Sequence, residues 1–318
     1  MDMSRREEVH PREPIPILRN APIVDNRNRL LPSFFIIGPP RTGTSWLHSV
    51  LSKHAVLPMP TKETRFFDTH FHRGIDWYRA HYPGSNKEWP VGEVAPTYFA
   101  SGEARERIAR TFPQTKVVCI FRNPVDRVLS LYRLKRAYGM ISWSLEQALV
   151  RDPELLETGK YATYLAAWRR ALGRDQVLAT VYDDLQTEPQ RYVDTLVDFI
   201  EIPRFPLTQA QIRYVHSSES LTHPRNYYWT RGATAMADWC KARRLDRVVA
   251  AVKSSPLLKL FLGGGPAFEE LSPALSLKLY ELFRPEVEKL EAILNRDLSA
   301  WKSPPGCRLE ESFSLTAD

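Results

Sequence analysis

Phe34-Phe35-Ile36-Ile37-Gly38-Pro39-Pro40-Arg41-Thr42-Gly43-Thr44-Ser45-Trp46-Leu47 joins a short apolar run to a glycine loop and then to a helical pattern. Four apolar residues bounded by Gly38 and Pro39 read as a buried strand. Trp46, Leu47, Val50 and Leu51 recur on one helix face, so a helix is expected to start near Thr44. Strand, glycine loop and helix open an α/β domain. Gly38 to Gly43 has the GxxxxG spacing of a P-loop, in which backbone N–H groups and a helix N-terminus receive phosphate. A P-loop kinase places Lys and then Ser or Thr after the second glycine. This chain has Thr44 in the lysine position and carries its cation earlier, at Arg41. Thr42, Thr44 and Ser45 add hydroxyl donors, and no strand-end aspartate suited to magnesium stands out. The loop reads as an anion site without the kinase lysine. The plainer alternative is a tight turn in which glycine serves geometry alone.

Further along, Lys116–Arg122 is a second buried strand, and Asn123-Pro124-Val125-Asp126 is a helix start. Asn123 can cap, Pro124 suits the first helical position and Asp126 favours the positive end of the dipole. Val125, Val128, Leu129 and Tyr132 give a core-facing stripe. Gln176–Tyr182 is a third strand, followed by a helix over Tyr192–Ile200, and Val91–Val94 is a shorter strand. This alternation predicts a P-loop-type three-layer α/β fold, a central parallel sheet flanked by helices. Residues 1–30 read as an extended arm, 31–302 as one domain and 303–318 as a tail. Within the domain, 216–270 breaks the pattern and reads as an irregular insert or lid. From Ser272-Pro273 a helical segment is expected to run to Trp301, kinked or split at Pro285.

Forty-four basic against 37 acidic residues leave a formal charge of +7, which favours anionic ligands. The basic residues are scattered and form no nucleic-acid motif, so nucleic acid is not expected as a partner. Cys119, Cys240 and Cys307 are too widely spaced for a zinc or redox motif, and no metal is expected. The first twenty residues lack the apolar core of a signal peptide, and no apolar stretch is long enough to span a membrane. A cytoplasmic location is the expectation.

The run Pro40-Arg41-Thr42-Gly43-Thr44-Ser45-Trp46-Leu47 resembles the 5′-phosphosulfate loop of sulfotransferases that use 3′-phosphoadenosine 5′-phosphosulfate (PAPS). Many members carry Lys where this chain has Arg41; others, such as the tyrosylprotein enzymes, carry Arg. The segment from Val117 to Tyr132 resembles the family's 3′-phosphate site, in which the residues matching Arg122 and Ser130 bind the donor. Tyr182-Asp183-Asp184-Leu185 is similar to a late-strand motif of the same family. Arg231-Gly232 is loosely similar to a late contact with the donor 3′-phosphate, and Trp229 is a candidate to stack on adenine. The resemblance implies a nucleotide-binding transferase whose donor contacts are Arg41, Thr42, Gly43, Thr44, Ser45, Trp46, Arg122, Ser130, Arg231 and Gly232.

Lys62-Glu63-Thr64-Arg65-Phe66-Phe67-Asp68 and Gly74-Ile75-Asp76-Trp77-Tyr78 resemble the heparan sulfate N- and 3-O-sulfotransferases, in which a Glu at the position of Glu63 is the catalytic base. Gly92–Phe99 is similar to their acceptor-cleft segment, with Val94 where Lys is common. Glu63 is accordingly cast as base and Arg41 as the fixed cation on the phosphosulfate; arginine does not release its proton, so the proton donor to the leaving group stays open. Glu63 as an ion-pair partner of Lys62, Arg65 or Arg41 is the plain alternative, and His70 and His72 are alternative bases. The acceptor is expected to be a hydroxyl or amine on a small molecule or glycan. A P-loop kinase of a small substrate and a non-catalytic nucleotide- or glycan-binding module are the competing readings.

Overall fold

The computed structural model of the chain describes residues 31–82, 89–216, 222–224, 226–242 and 264–305. The arm at 1–30, Cys307 and most of the tail lie outside these residues. Four parallel strands, β1 (Phe34–Ile36), β2 (Gly92–Val94), β3 (Lys116–Phe121) and β4 (Val177–Val181), form a sheet in the order β2-β1-β3-β4. Successive residues alternate between two faces. Phe35, Ile37, Val117, Cys119 and Phe121 pack into one core cluster, and Phe34, Ile36, Val118 and Ile120 into a second. Both faces being covered explains why the strands read as unbroken apolar runs. Gly92 is required by this packing, because a Cβ there would lie 2.2 Å from Cζ of Phe34.

Helix α1 (Thr44–Leu51) follows β1, and the short α2 (Ile75–Arg79) precedes β2. Helix α3 (Gly102–Thr111) leads to β3, and α4 (Pro124–Ala137) leaves it. The helices α5 (Leu145–Arg151), α6 (Glu154–Glu157) and α7 (Tyr161–Leu172) connect α4 to β4. Asn123 caps α4, its side chain accepting from the Val125 N–H, with Pro124 in the first turn. After β4 come α8 (Tyr182–Thr187), α9 (Pro189–Phe199) and α10 (Gln209–His216). Tyr182 therefore opens a helix rather than closing the strand. Helix α9 begins at Pro189, three residues ahead of the periodic stretch, because proline fits a first turn.

Two differences lie toward the C-terminus. Within 216–270 the described residues are ordered: β5 (Thr222–Pro224) pairs antiparallel with β6 (Gly264–Ala267), and α11 (Tyr227–Ala242) lies between them in sequence. Asn226 starts α11 by accepting the Tyr228 and Trp229 N–H groups. The helix was illegible because Tyr228, Trp229 and Met236 are exposed, which erases the apolar stripe. Helix α12 (Pro273–Leu294) runs through Pro285 as one element and stops at Asn295, which is left-handed (φ 51°). Burial of Leu279, Tyr280, Phe283, Val287 and Leu290 on both sides of Pro285 outweighs the lost backbone bond. Trp301 belongs to a separate turn.

Candidate functional site

In the order β2-β1-β3-β4, successive connections leave β1 toward opposite edges of the sheet, so a crevice opens at the carboxyl ends of β1 and β3. The loops carrying Arg41 and Arg122 both emerge there. Gly43 takes φ 87° at the N-cap of α1, and no side chain caps that helix or places acid in its first turn. The N–H groups of the first turn thus lack intrahelical acceptors and present positive potential to an anion. Gly43 is also crowded: a Cβ would stand 3.0 Å from Leu185 Cδ2 and from Tyr182 Cε2. Arg41 itself is left-handed (φ 77°), which costs roughly 1–2 kcal/mol in a non-glycine residue. Thr42 is buried and donates its hydroxyl to the Pro39 carbonyl at 2.8 Å, bracing the loop from within.

The strand ends are tied together through the two arginines. Arg41 Nε donates to Ser130 Oγ on α4 at 2.9 Å, and Arg122 Nη1 reaches the Arg41 carbonyl at 3.4 Å. The Arg122 guanidinium lies 5.2 Å from the centroid of the Tyr182 ring, the same ring that closes over Gly43. Its backbone is fixed in turn, as the Arg122 carbonyl accepts from the Tyr161 hydroxyl at 2.9 Å. Among the described residues no carboxylate lies within ion-pair distance of Arg122. Two guanidinium groups and a serine hydroxyl beside a helix N-terminus form a cradle for a multiply charged anion.

Glu63 reaches this cradle through Lys62. The Lys62 ammonium stands 3.2 Å from Ser45 Oγ, in the first turn of α1, and 3.3 Å from Glu63 Oε1. Burial raises the Glu63 carboxyl above the ordinary carboxylate range; Lys62 and Arg65 pull the other way, and Asp68 adds to the rise. Behind Glu63, Thr64 donates both its N–H and its hydroxyl to Glu93 Oε1 at 2.7 Å. Glu93, at the middle of β2, is wholly buried and also receives the Tyr78 hydroxyl at 2.9 Å and Tyr98 at 3.3 Å. Burial drives its carboxyl up to about 7 despite the Thr64 and Tyr78 hydrogen bonds. This buried carboxylate clamps the segment that carries Glu63.

Not every sequence-predicted residue joins the cluster. Trp46 is turned into the core, with its indole N–H donating to the Gln211 carbonyl at 3.0 Å. Thr44 is buried, whereas Ser45 faces outward to Lys62. Arg231 bonds the Tyr227 hydroxyl, and its backbone packs over Gly139, beyond the C-terminal end of α4, whereas Ser130 lies in the middle of that helix. Gly232 lies within α11, and among the described residues nothing comes within 4 Å of where its Cβ would be. Trp229 is 71% exposed. His70 packs edge-on to Trp77, and burial lowers its basicity; His72 is exposed. Among the described residues no group of three His, Cys, Asp or Glu could hold a metal. Sequence reasoning left Lys62, Glu93 and Tyr182 without roles in the site. Lys62 and Glu93 lie within two of the motifs, but Ser45 and Thr64, which they meet, are 17 and 29 residues away.

Comparison with known proteins agrees with this architecture. The family description "Sulfotransferase domain" matches residues 31–237. The bifunctional heparan sulfate N-deacetylase/N-sulfotransferase 2 of Bos taurus is 30% identical over 231 residues, covering 62% of this chain and 26% of that protein. The corresponding enzyme 1 of Mus musculus is 31% identical over 194 residues, 54% of this chain and 22% of its own length. The chain thus spans about a quarter of the length of these relatives. A sulfotransferase from Alicyclobacillus acidocaldarius shares the fold, with a TM-score of 0.62 at 22% identity over 86% of this chain and 99% of the other. With the domain match covering well over half of its length, the chain belongs to the sulfotransferase family.

Proposed function

We propose that the chain transfers a sulfonate group from PAPS to a hydroxyl or amine, with the donor seated between the α1 N-terminus and the pair Arg122 and Ser130. The observation that carries this reading is the meeting of Arg41, Ser130 and Arg122 at the crevice between β1 and β3. One anion-binding loop would suit any nucleotide. A second cation on the neighbouring strand end, with no carboxylate at ion-pair distance among the described residues, suits a donor with a second phosphate, and the 3′-phosphate distinguishes PAPS from ATP. Arg41 and the first-turn N–H groups would stabilise charge developing on the leaving 5′-phosphate. Thr42 braces the loop and Gly43 gives it room to turn; Thr44 and Ser45 present their backbone N–H groups. Glu63 would take the acceptor proton as the new bond to sulfur forms, and its raised proton affinity makes it a stronger base.

The relatives' names place them on heparan sulfate, so an acceptor presented on a glycan is the first to test. Calorimetry with adenosine 3′,5′-bisphosphate (PAP) against AMP tests the donor site, and transfer from labelled PAPS onto N-desulfated heparin and a panel of hydroxyl and amine acceptors tests the reaction. Glu63→Gln should bind PAP as the wild type does and lose ~10²–10⁴-fold in transfer. Equal affinity for PAP and AMP, or full transfer by Glu63→Gln, would overturn the reading.

A further inference from the structure

We infer that Lys62 is the acid of this reaction, protonating the leaving 5′-phosphate and recovering its proton from Glu63. The inference rests on Glu63 being the base and PAPS the donor. Neighbouring side chains in an extended segment point to opposite sides. Here the Thr61 hydroxyl donates to the Glu63 carbonyl at 3.0 Å, and the Lys62 and Glu63 side chains meet as an ion pair at 3.3 Å. The Lys62 ammonium then lies between the base, 3.3 Å away, and Ser45 of the anion-binding turn, 3.2 Å away. It is the amine that bridges the two places where a proton must leave and arrive.

The other cations of the cradle cannot serve. Arg41 and Arg122 hold their protons throughout, whereas lysine exchanges its own readily. His48, one turn beyond Ser45 on α1, is pushed down to about 4 by burial and then by Lys62, so it is neutral and has no proton to give. Thr42 has already committed its hydroxyl to Pro39.

The step balances. The acceptor heteroatom bonds to sulfur while its proton passes to the Glu63 carboxylate. The bond between sulfur and the phosphate oxygen breaks, its electron pair stays on that oxygen, and the Lys62 ammonium delivers a proton there. Protonated Glu63 returns its proton to the Lys62 amine across their contact, and both groups are ready for another cycle. The net change is one sulfonate moved to the acceptor and one proton moved to the product phosphate. Arg65 and Asp68 flank Glu63, and His48 flanks Lys62, so these groups set the pH range of the exchange.

Lys62→Arg keeps the charge and removes the exchangeable proton; Lys62→Ala opens space for a small amine. PAP binding by calorimetry and single-turnover transfer from labelled PAPS to an acceptor turned over by the wild type separate binding from chemistry. Lys62→Arg should bind PAP within about threefold of wild type and lose ~10²–10³-fold in single-turnover rate. Added methylamine should restore part of the Lys62→Ala rate, rising with the fraction of protonated amine. Transfer by Lys62→Arg within threefold of wild type would overturn the assignment, as would a rate loss matched by lost PAP affinity. In either case Glu63→Gln would still be inactive, whereas failure of the underlying reading appears as an active Glu63→Gln or as no PAP binding by wild type.

Discussion

The buried carboxyl of Glu93 makes a prediction that isolates one group. Its proton affinity rises from the ordinary 4.5 to about 7, chiefly through burial. Between those values the unfolded chain releases the proton while the folded chain keeps it, so stability falls as pH rises. Two and a half pH units at about 1.4 kcal/mol each amount to ~3 kcal/mol lost by pH 7.5 relative to pH 4.5. Glutamine has nearly the same shape but no charge. Its amide oxygen can accept from Thr64, and its NH₂ can face Tyr78, which is free to donate to Tyr82, 2.7 Å away. The unfolding free energy of Glu93→Gln minus that of wild type, from urea titrations at half-unit steps between pH 4.5 and 8, should therefore grow by ~3 kcal/mol in favour of the variant above pH 7. Groups not coupled to Glu93 titrate alike in both proteins and cancel. A difference that stays flat across this range would refute the argument. Glu93→Ala should instead destabilise at every pH, since it leaves the buried Thr64 N–H without its acceptor.

Three further outcomes follow from the site. Arg122→Ala should weaken PAP about 10- to 100-fold, the worth of a charge-assisted contact, while changing AMP affinity little; calorimetry with both nucleotides measures this. Gly43→Ala meets a left-handed φ of 87° and Leu185 and Tyr182 at 3.0 Å, so urea titration should show at least ~1–2 kcal/mol of lost stability, and PAP binding should drop with it. Trp46→Phe removes the bond to the Gln211 carbonyl and should cost ~1–2 kcal/mol in unfolding free energy, with PAP affinity held within about twofold.

Strand, loop and helix at 34–51 were legible because each rests on local rules. Apolar residues must alternate across a sheet buried on both faces, glycine must supply the left-handed turn, and a helix must begin where Trp46, Leu47, Val50 and Leu51 repeat. The same holds for Asn123 and Pro124 at the start of α4. Where the sequence misled, a local signal met a long-range one. Pro285 reads as a break, yet packing on both sides of it holds α12 in one piece. In α11 the exposed aromatics hid a helix, since periodicity is visible only where one face is buried.

The glycine loop with its displaced cation is written in the sequence by spacing and residue type, and the second arginine and the carboxylate at 63 stand out there through the family resemblance of their segments. Which side chains reach the crevice was decided by tertiary structure. Arg41 and Ser130 are 89 positions apart and meet only because β1 and β3 are neighbours in the sheet. Trp46 is next to Ser45 in sequence, yet helical rotation sends one into the core and the other toward Lys62. Glu93 acquires its proton affinity from complete burial among Thr64, Tyr78 and Tyr98, an environment assembled from three separate segments. Sequence fixes what a side chain is able to do, and packing fixes its dielectric and its partners, on which its chemistry depends.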